Sequence, residues 1–209
     1  MKDKAETEQT DVAPYDWIIS DTHFYHNNIV KYCYRPGWNK YGNHDYTWHN
    51  NLMESNWVNR VGENDSILHL GDVAFSVKKK RDAIAALFAS LPGDKYLIKG
   101  NHDNAPNEWY EEIGFTVLDP FFTMHNGYKV YFTHYPMVKL YPEQINIHGH
   151  VHNNSVDCMT KAHKNISADV MAFAPVPMQD IMDDCVYRVN ESNERDVAPN
   201  DHKYRKGTH

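Results

Sequence analysis

The sequence predicts an α/β fold with mixed β-structure, and three observations carry that prediction. Short apolar runs at Asp16-Trp17-Ile18-Ile19-Ser20, Ser66-Ile67-Leu68-His69-Leu70 and Tyr96-Leu97-Ile98-Lys99 have the length of buried strands, and each runs directly into glycine or polar residues. A helical stretch at 77–91 separates the second run from the third, so this unit reads as βαβ with parallel strands and a right-handed crossover. Asn126-Gly127, set between Phe121–His125 and Tyr128–Thr133, is the best hairpin signal in the chain and adds an antiparallel pair.

Taken in order, residues 1–14 read as a flexible lead-in and 15–190 as one domain. After the first strand, 27–34 suits a short helix, followed by an aromatic loop around Arg35-Pro36-Gly37-Trp38. Trp48, Leu52, Trp57 and Val61 roughly follow helical spacing, so 46–61 is expected to be a helix capped near Asp45 and closed by Gly62. Pro92-Gly93 stops the helix at 77–91, and 106–113 is a short helix with proline at its start and Gly114 beyond its end. Past the hairpin come strands at 144–147 and about 165–170, then a helix near 178–185. Residues 191–209 are polar without an apolar period and read as a mobile tail.

Hydrophobic residues make up 41% and charged residues 23% of the 209, an ordinary globular balance, and no apolar run approaches the ~20 residues of a membrane span. Met1–Thr10 is polar, with no apolar core of a secretory signal. Cys33, Cys158 and Cys185 are far apart and lack CxxC spacing, which points to reduced thiols and a cytoplasmic location. A formal charge of -7 argues against coating duplex nucleic acid by charge alone, so nucleic acid enters only as a substrate. Lys78-Lys79-Lys80-Arg81 reads as the solvated first turns of an amphipathic helix. No feature sets the oligomeric state.

Fourteen histidines are an unusual number, and several stand beside Asp, Asn or Gly at the ends of the expected strands. The metal-capable residues at those ends are Asp21, His23, Asp72, Asn101, His134, His150 and His152. On a strand, residues two apart face the same way, so Asp21 with His23, and His150 with His152, can each present a pair. Seven ligands exceed one tetrahedral ion and suit two ions sharing a carboxylate such as Asp72. Oxygen and imidazole without thiolate favour manganese, iron or zinc over copper or an iron–sulfur cluster. Spelling alone does not select these residues. Gly42-Asn43-His44-Asp45 repeats the letters of Gly100-Asn101-His102-Asp103, but no strand precedes it, so it reads as a loop entering a helix.

Asp21-Thr22-His23, Gly71-Asp72, Gly100-Asn101-His102-Asp103, His134 and Gly149-His150-Val151-His152 occur in the order of the motifs of the calcineurin-like metallophosphoesterases, which the chain resembles over about residues 16–152. Ser20 to Val30, with Arg35-Pro36 after it, looks especially like a branch of short bacterial and phage phosphoesterases. The resemblance implies two mixed β-sheets packed as a sandwich, flanked by helices, with two divalent transition-metal ions at the carboxyl ends of the strands. Manganese is the first choice, with iron or zinc as alternatives. Asp21, His23 and His152 would hold one ion, Asn101, His134 and His150 the other, and Asp72 would bridge them. A bridging hydroxide would attack a phosphodiester or phosphomonoester in line, His102 would protonate the leaving oxygen, and Asp103 would fix the His102 ring.

Other residues carry two readings each. His26 either faces the substrate or opens a short helix at the surface, and Arg35 either clamps a phosphate or anchors its loop. Trp38, Tyr41, Tyr46 and Trp48 either stack on a base or, the preferred reading, pack their loop on the core. His69 and His148 read as packed or supporting histidines, and His44, His49, His163, His202 and His209 lack strand-end context. The stretch Asn165-Ile166-Ser167-Ala168-Asp169-Val170 resembles a core-closing segment of the same branch and supports no role for Asn165 or Asp169. Against the small-substrate phosphoesterase stand a nuclease of the same superfamily, which needs a substrate groove, and a non-catalytic scaffold, which has no need of His102 or the metal ligands.

Overall fold

The computed structural model describes residues 12–38 and 45–197. The apolar runs form strands β1 (Trp17–Ile19), β2 (Ser66–His69) and β3 (Asp94–Ile98), with helices α1 (Asn27–Tyr32) and α2 (Tyr46–Val58) before β2 and α3 (Val77–Ser90) after it. Next come α4 (Asn107–Glu112), β4 (Phe115–Leu118), the hairpin β5 (Phe121–His125) and β6 (Tyr128–Thr133), then β7 (Gln144–His148) and β8 (His163–Asn165). The described chain closes with β9 (Val176–Pro177) and α5 (Met178–Val197). Asp45 caps α2 as expected, its carboxylate accepting from the Thr47 N–H at 2.8 Å. The duplicate letters Gly42 to His44, the lead-in 1–11 and the tail 198–209 lie outside the described residues.

Two mixed sheets with flanking helices result. One has the order β4-β3-β2-β1-β9, parallel except for β9, and the other the order β5-β6-β7-β8, parallel except for the hairpin. Asn126 and Gly127 both take positive φ, as a two-residue turn that follows strand twist requires. Because β-strand side chains alternate, each strand of the first sheet serves two cores. Ile19, Ile67 and Leu97 pack with Trp57 of α2, Phe88 of α3 and Tyr110 of α4. Ile18, Leu68 and Ile98 pack with Val130, Phe132, Ile145 and Ile147 of the second sheet and with Met178, Met182 and Cys185 of α5.

The differences from expectation have local causes. β4 was not foreseen, because four residues after Gly114 carry too short a pattern; β3 recruits them by parallel pairing of Ile98 with Leu118. The strand expected at 165–170 ends at Asn165, whose side-chain oxygen accepts from the Ser167 N–H and hydroxyl and turns the chain into a single 3-10 turn at Ala168–Val170. The mobile tail expected from 191 is helical as far as Val197. Its apolar stripe, from Met178 through Ile181, Met182 and Cys185 to Val189, anchors α5 on the core, and propagation then adds one hydrogen bond per further residue. Trp48 is 71% exposed, so that ring does not pack, whereas Tyr46 lies against Tyr25 at 5.5 Å.

Register brings the motif residues to one edge. Ile19 pairs with His69, and His69 with Leu97, so Asp21, Asp72 and Asn101 all leave the same end of the first sheet. In the second sheet Thr133 pairs with His148, which brings His134 beside Gly149 and His150.

Candidate metal centre

Asp21, His23, His150 and His152 lie beyond their strands, so strand alternation does not aim them. Left-handed backbone does. Asp21, His23, Asp72, His150 and His152 all have positive φ, between 48° and 69°. Asp and His visit this region more readily than most residues, yet each visit costs on the order of 1–3 kcal/mol and persists only where surrounding bonds enforce it. Those bonds are present: the Asp21 N–H donates to Gly71 O at 3.0 Å, the His23 N–H to Asp72 O at 2.9 Å, and the His150 N–H to the Asp21 carboxylate at 2.9 Å. His69, which the sequence left between packing and support, is buried and ties two motif loops together, its Nε2 2.9 Å from Thr22 Oγ1 and its Nδ1 accepting from the Gly71 N–H at 3.1 Å. Two glycines are dictated by crowding. A Cβ on Gly100 would strike the Asp72 carboxylate and the His134 ring, and one on Gly149 would strike Ser20 Oγ and Asp21 Oδ2.

All seven expected ligands converge. Asp21, His23 and His152 present donor atoms within 4.8 Å of one another, as do Asp21, Asp72 and His134. Asp72 Oδ2 lies 3.5 Å from His23 Nε2 and 3.6 Å from His134 Nε2, almost equidistant from the two halves of the site. The Asn101 amide oxygen lies 3.1 Å from His134 Nε2 and 3.0 Å from His150 Nδ1.

These atoms crowd together, and two of them are buried without a hydrogen-bond partner among the described residues, which is the observation that fits a cation. His134 Nδ1 donates to the Leu70 carbonyl at 2.7 Å, which turns its Nε2 toward the Asn101 oxygen at 3.1 Å and Asp72 Oδ2 at 3.6 Å. His152 Nδ1 donates to the Asp169 carboxylate at 2.8 Å, which leaves Nε2 turned toward Asp21 Oδ1 at 4.0 Å. Asp21 Oδ1 and His23 Nε2 are buried without a hydrogen-bond partner among the described residues. Edges of 3.0–4.0 Å between donor atoms suit ligands that each reach a metal at roughly 2.0–2.2 Å. Burial, then the Arg35 charge and neighbouring imidazoles, lower the pKa of His23, while burial and His134 lower that of His150. Both rings are therefore neutral near pH 7, the form that binds metal. Burial, helped by the charge of Asp21 and opposed by the His102 N–H, pushes Asp72 up to about 7.

Two expectations need correction. Asp103 does not hold the His102 ring. Its carboxylate accepts from the N–H groups of Asp72 at 2.6 Å, Gly100 at 2.8 Å and Val73 at 3.1 Å, because those amides are left unpaired where the chain turns at both motif loops. Arg35 is not a substrate clamp either. It is 1% exposed and its fork is filled by Asp169, through Nε at 2.8 Å and Nη2 at 2.6 Å, with further bonds to the Asp21 and Thr22 carbonyls. Arg35→Ala should lower unfolding free energy by about 3–5 kcal/mol, since it leaves Asp169 charged and buried. Urea denaturation measures this; a loss below ~1 kcal/mol would mean that the pair is not holding the loops.

His26 is 8% exposed, stacked on Phe75 with centroids 3.9 Å apart, and its Nδ1 is 3.3 Å from His23 Nδ1, so it braces His23 from behind. Burial, then the charges of His102, Arg35 and His152, lower its pKa to about 4. His148 turns Nδ1 to the Gly149 carbonyl at 2.9 Å and is a packed histidine. His102 stands at the open side, its ring 5.3 Å from His23 and 5.6 Å from Phe75, with no described side chain hydrogen-bonded to it. Asp169 is the functional residue that the sequence reading passed over. Burial opposes its charge, but the His152 hydrogen bond and the Arg35 guanidinium prevail and bring it to about 2, so it stays ionised and orients His152. Its only sequence signal was its place in the segment 165–170. Cys33 clusters with His152 and Asp169, and burial, then Asp169, push its thiol to about 12.

The chain is 34% identical over 169 residues to the uncharacterized protein MJ1445 of Methanocaldococcus jannaschii, covering 78% of this chain and 86% of that one. A protein of unknown function from Aquifex aeolicus, AQ665, has a similar solved structure with a TM-score of 0.58 at 23% identity, over 79% of this chain and 96% of that one. The nuclease MPE of Pseudomonas putida aligns with a TM-score of 0.43 at 18% identity, over 65% of this chain and 60% of that one. The profile of the calcineurin-like phosphoesterases matches residues 17–197, and with the strained motif loops meeting at one edge of two mixed sheets, the chain belongs to that family.

Proposed function

We propose that the protein is a dinuclear metal-dependent phosphoesterase that hydrolyses phosphodiester or phosphomonoester bonds, with His102 as the general acid. The observation that carries this reading is the position of Asp72 Oδ2, 3.5 Å from His23 Nε2 and 3.6 Å from His134 Nε2, in a site where Asp21 Oδ1 and His23 Nε2 are buried without a hydrogen-bond partner among the described residues. Asp21, His23 and His152 would hold one divalent ion and Asn101, His134 and His150 the other, with Asp72 shared. When bound, such ions supply Lewis acidity, an acidified water and charge neutralisation for phosphoryl transfer. Manganese is the first choice for this mixed oxygen and imidazole donor set, and iron or zinc also match it. His26, Asp169 and the Leu70 carbonyl orient the ligand rings, while His102, free of side-chain partners, is available to move a proton to a leaving oxygen. Its backbone N–H donates to Asp72 Oδ1 at 2.8 Å, which couples its position to the shared carboxylate. Ser20 to Val30 ranks the chain with the short bacterial and phage branch. No helix among the described residues is long and apolar enough to cross a membrane.

Reconstitution with manganese should saturate near two ions per chain by elemental analysis, with hydrolysis of bis(p-nitrophenyl) phosphate appearing alongside; saturation at one ion would remove the dinuclear assignment. The Asp72 pKa sets the pH dependence. Its raised carboxyl is protonated below about 7, so a cation must displace that proton, and apparent affinity should fall about tenfold per pH unit below that point and level off above it. Calorimetry at pH 6 in buffers of different ionisation enthalpy counts the released proton; no release would place the titration elsewhere.

A further inference from the structure

Lys78-Lys79-Lys80-Arg81, which the sequence reads as solvated helix turns, borders a cavity of about 610 Å³ that reaches His102. The four cations are not equivalent. Lys80 turns away, its ammonium 2.8 Å from Tyr46 Oη and above the Tyr25 and Tyr46 rings, and it does not line the cavity. Arg81 lines it but is shared with Glu112 at 3.3 Å and with the Trp109 ring. Lys78 and Lys79 line it with no ion-pair partner among the described residues. The remaining surface comes largely from Phe75, Val77, Ala105 and Pro106. A volume of this size falls within the roughly 300–1,000 Å³ of small-molecule sites and far exceeds what a bare phosphate fills.

We propose that this cavity receives the leaving group of the substrate, and that the leaving group is nucleotide-sized and carries a phosphate of its own. The inference rests on the phosphoesterase reading. If His102 protonates the leaving oxygen, whatever is bonded to that oxygen must lie beside the His102 ring, and the space there is this cavity. Its apolar surface suits a base and sugar, and two unpaired ammonium groups suit a phosphate as point charges. Lys78 and Lys79 are exposed at the cavity, and a nucleoside without phosphate would make no ionic contact with either.

The test compares the thymidine dinucleotide TpT with its 5′- and 3′-phosphorylated forms, using the manganese-loaded protein and bis(p-nitrophenyl) phosphate as reference. One phosphorylated form should exceed TpT by roughly tenfold or more in kcat/KM, and Lys78→Ala/Lys79→Ala should collapse that ratio toward one, while Lys78→Arg/Lys79→Arg keeps most of it. A second readout needs no turnover. Thymidine monophosphate should bind the metal-free protein, lose roughly tenfold in affinity in the alanine variant and weaken with salt, whereas thymidine binding should show no dependence on the two lysines. Hydrolysis of the reference ester without any preference among the dinucleotides, or a preference that survives both alanines, overturns the inference and leaves the phosphoesterase reading standing. Hydrolysis of none of the esters overturns both.

Discussion

Asp72→Asn is expected to weaken metal binding at both positions by at least about 10²-fold and to abolish measurable hydrolysis. Replacing an outer partner of a metal ligand typically costs 10–100-fold, and Asp72 stands closer than that, with Oδ2 3.5 Å and 3.6 Å from the Nε2 atoms of His23 and His134. The substitution removes a negative charge that both halves of the site share, in a buried setting where charge is weakly screened. Asparagine nearly conserves the shape of the side chain, and the melting temperature of the metal-free variant checks that the fold is kept. His134→Ala is the contrast, since its ring serves one half only and should weaken one position. Metal titration by calorimetry on both variants separates the cases. Loss at a single position in Asp72→Asn would remove it from the shared role.

His102→Ala is expected to retain both ions and lose roughly 10²–10⁴-fold in kcat/KM on a nucleoside or alkyl leaving group, and clearly less on a nitrophenyl ester. An alkoxide needs a proton in the transition state, whereas a nitrophenolate leaves without one. Burial, then the His134 and His152 charges, lower the pKa of His102, so the free protein holds this ring neutral near pH 7. The negative charge of a bound phosphate ester favours its protonation, and the rate on alkyl leaving groups should fall as pH rises and that proton is lost. A uniform loss across leaving groups would assign His102 to phosphate binding instead. Loss of an ion would make it a ligand.

The alternation of short apolar runs and helices, the Asn126-Gly127 turn and the ordered motifs were legible in the chain, because periodicity and turn chemistry are local properties. The seven donor residues were legible for the same reason, as each interrupts a strand pattern with a side chain that strand packing does not require. What aims those donors was not. Five of the seven depend on positive φ, enforced by bonds such as His150 N–H to Asp21, partners 129 residues apart. Arg35 and Asp169 form a buried pair across 134 residues, so only tertiary structure could convert Arg35 from clamp to anchor and give Asp169 a task. Asp103 follows the same logic, since the amides it satisfies belong to loops that meet only when β2 and β3 pair. Lys78 and Lys79 likewise acquire their position beside His102 only when α3 and the loop after β3 fold together. Sequence determined which atoms are available for the chemistry, and tertiary contacts decided which of them face one another, because burial and long-range hydrogen bonds leave no periodic trace in the chain.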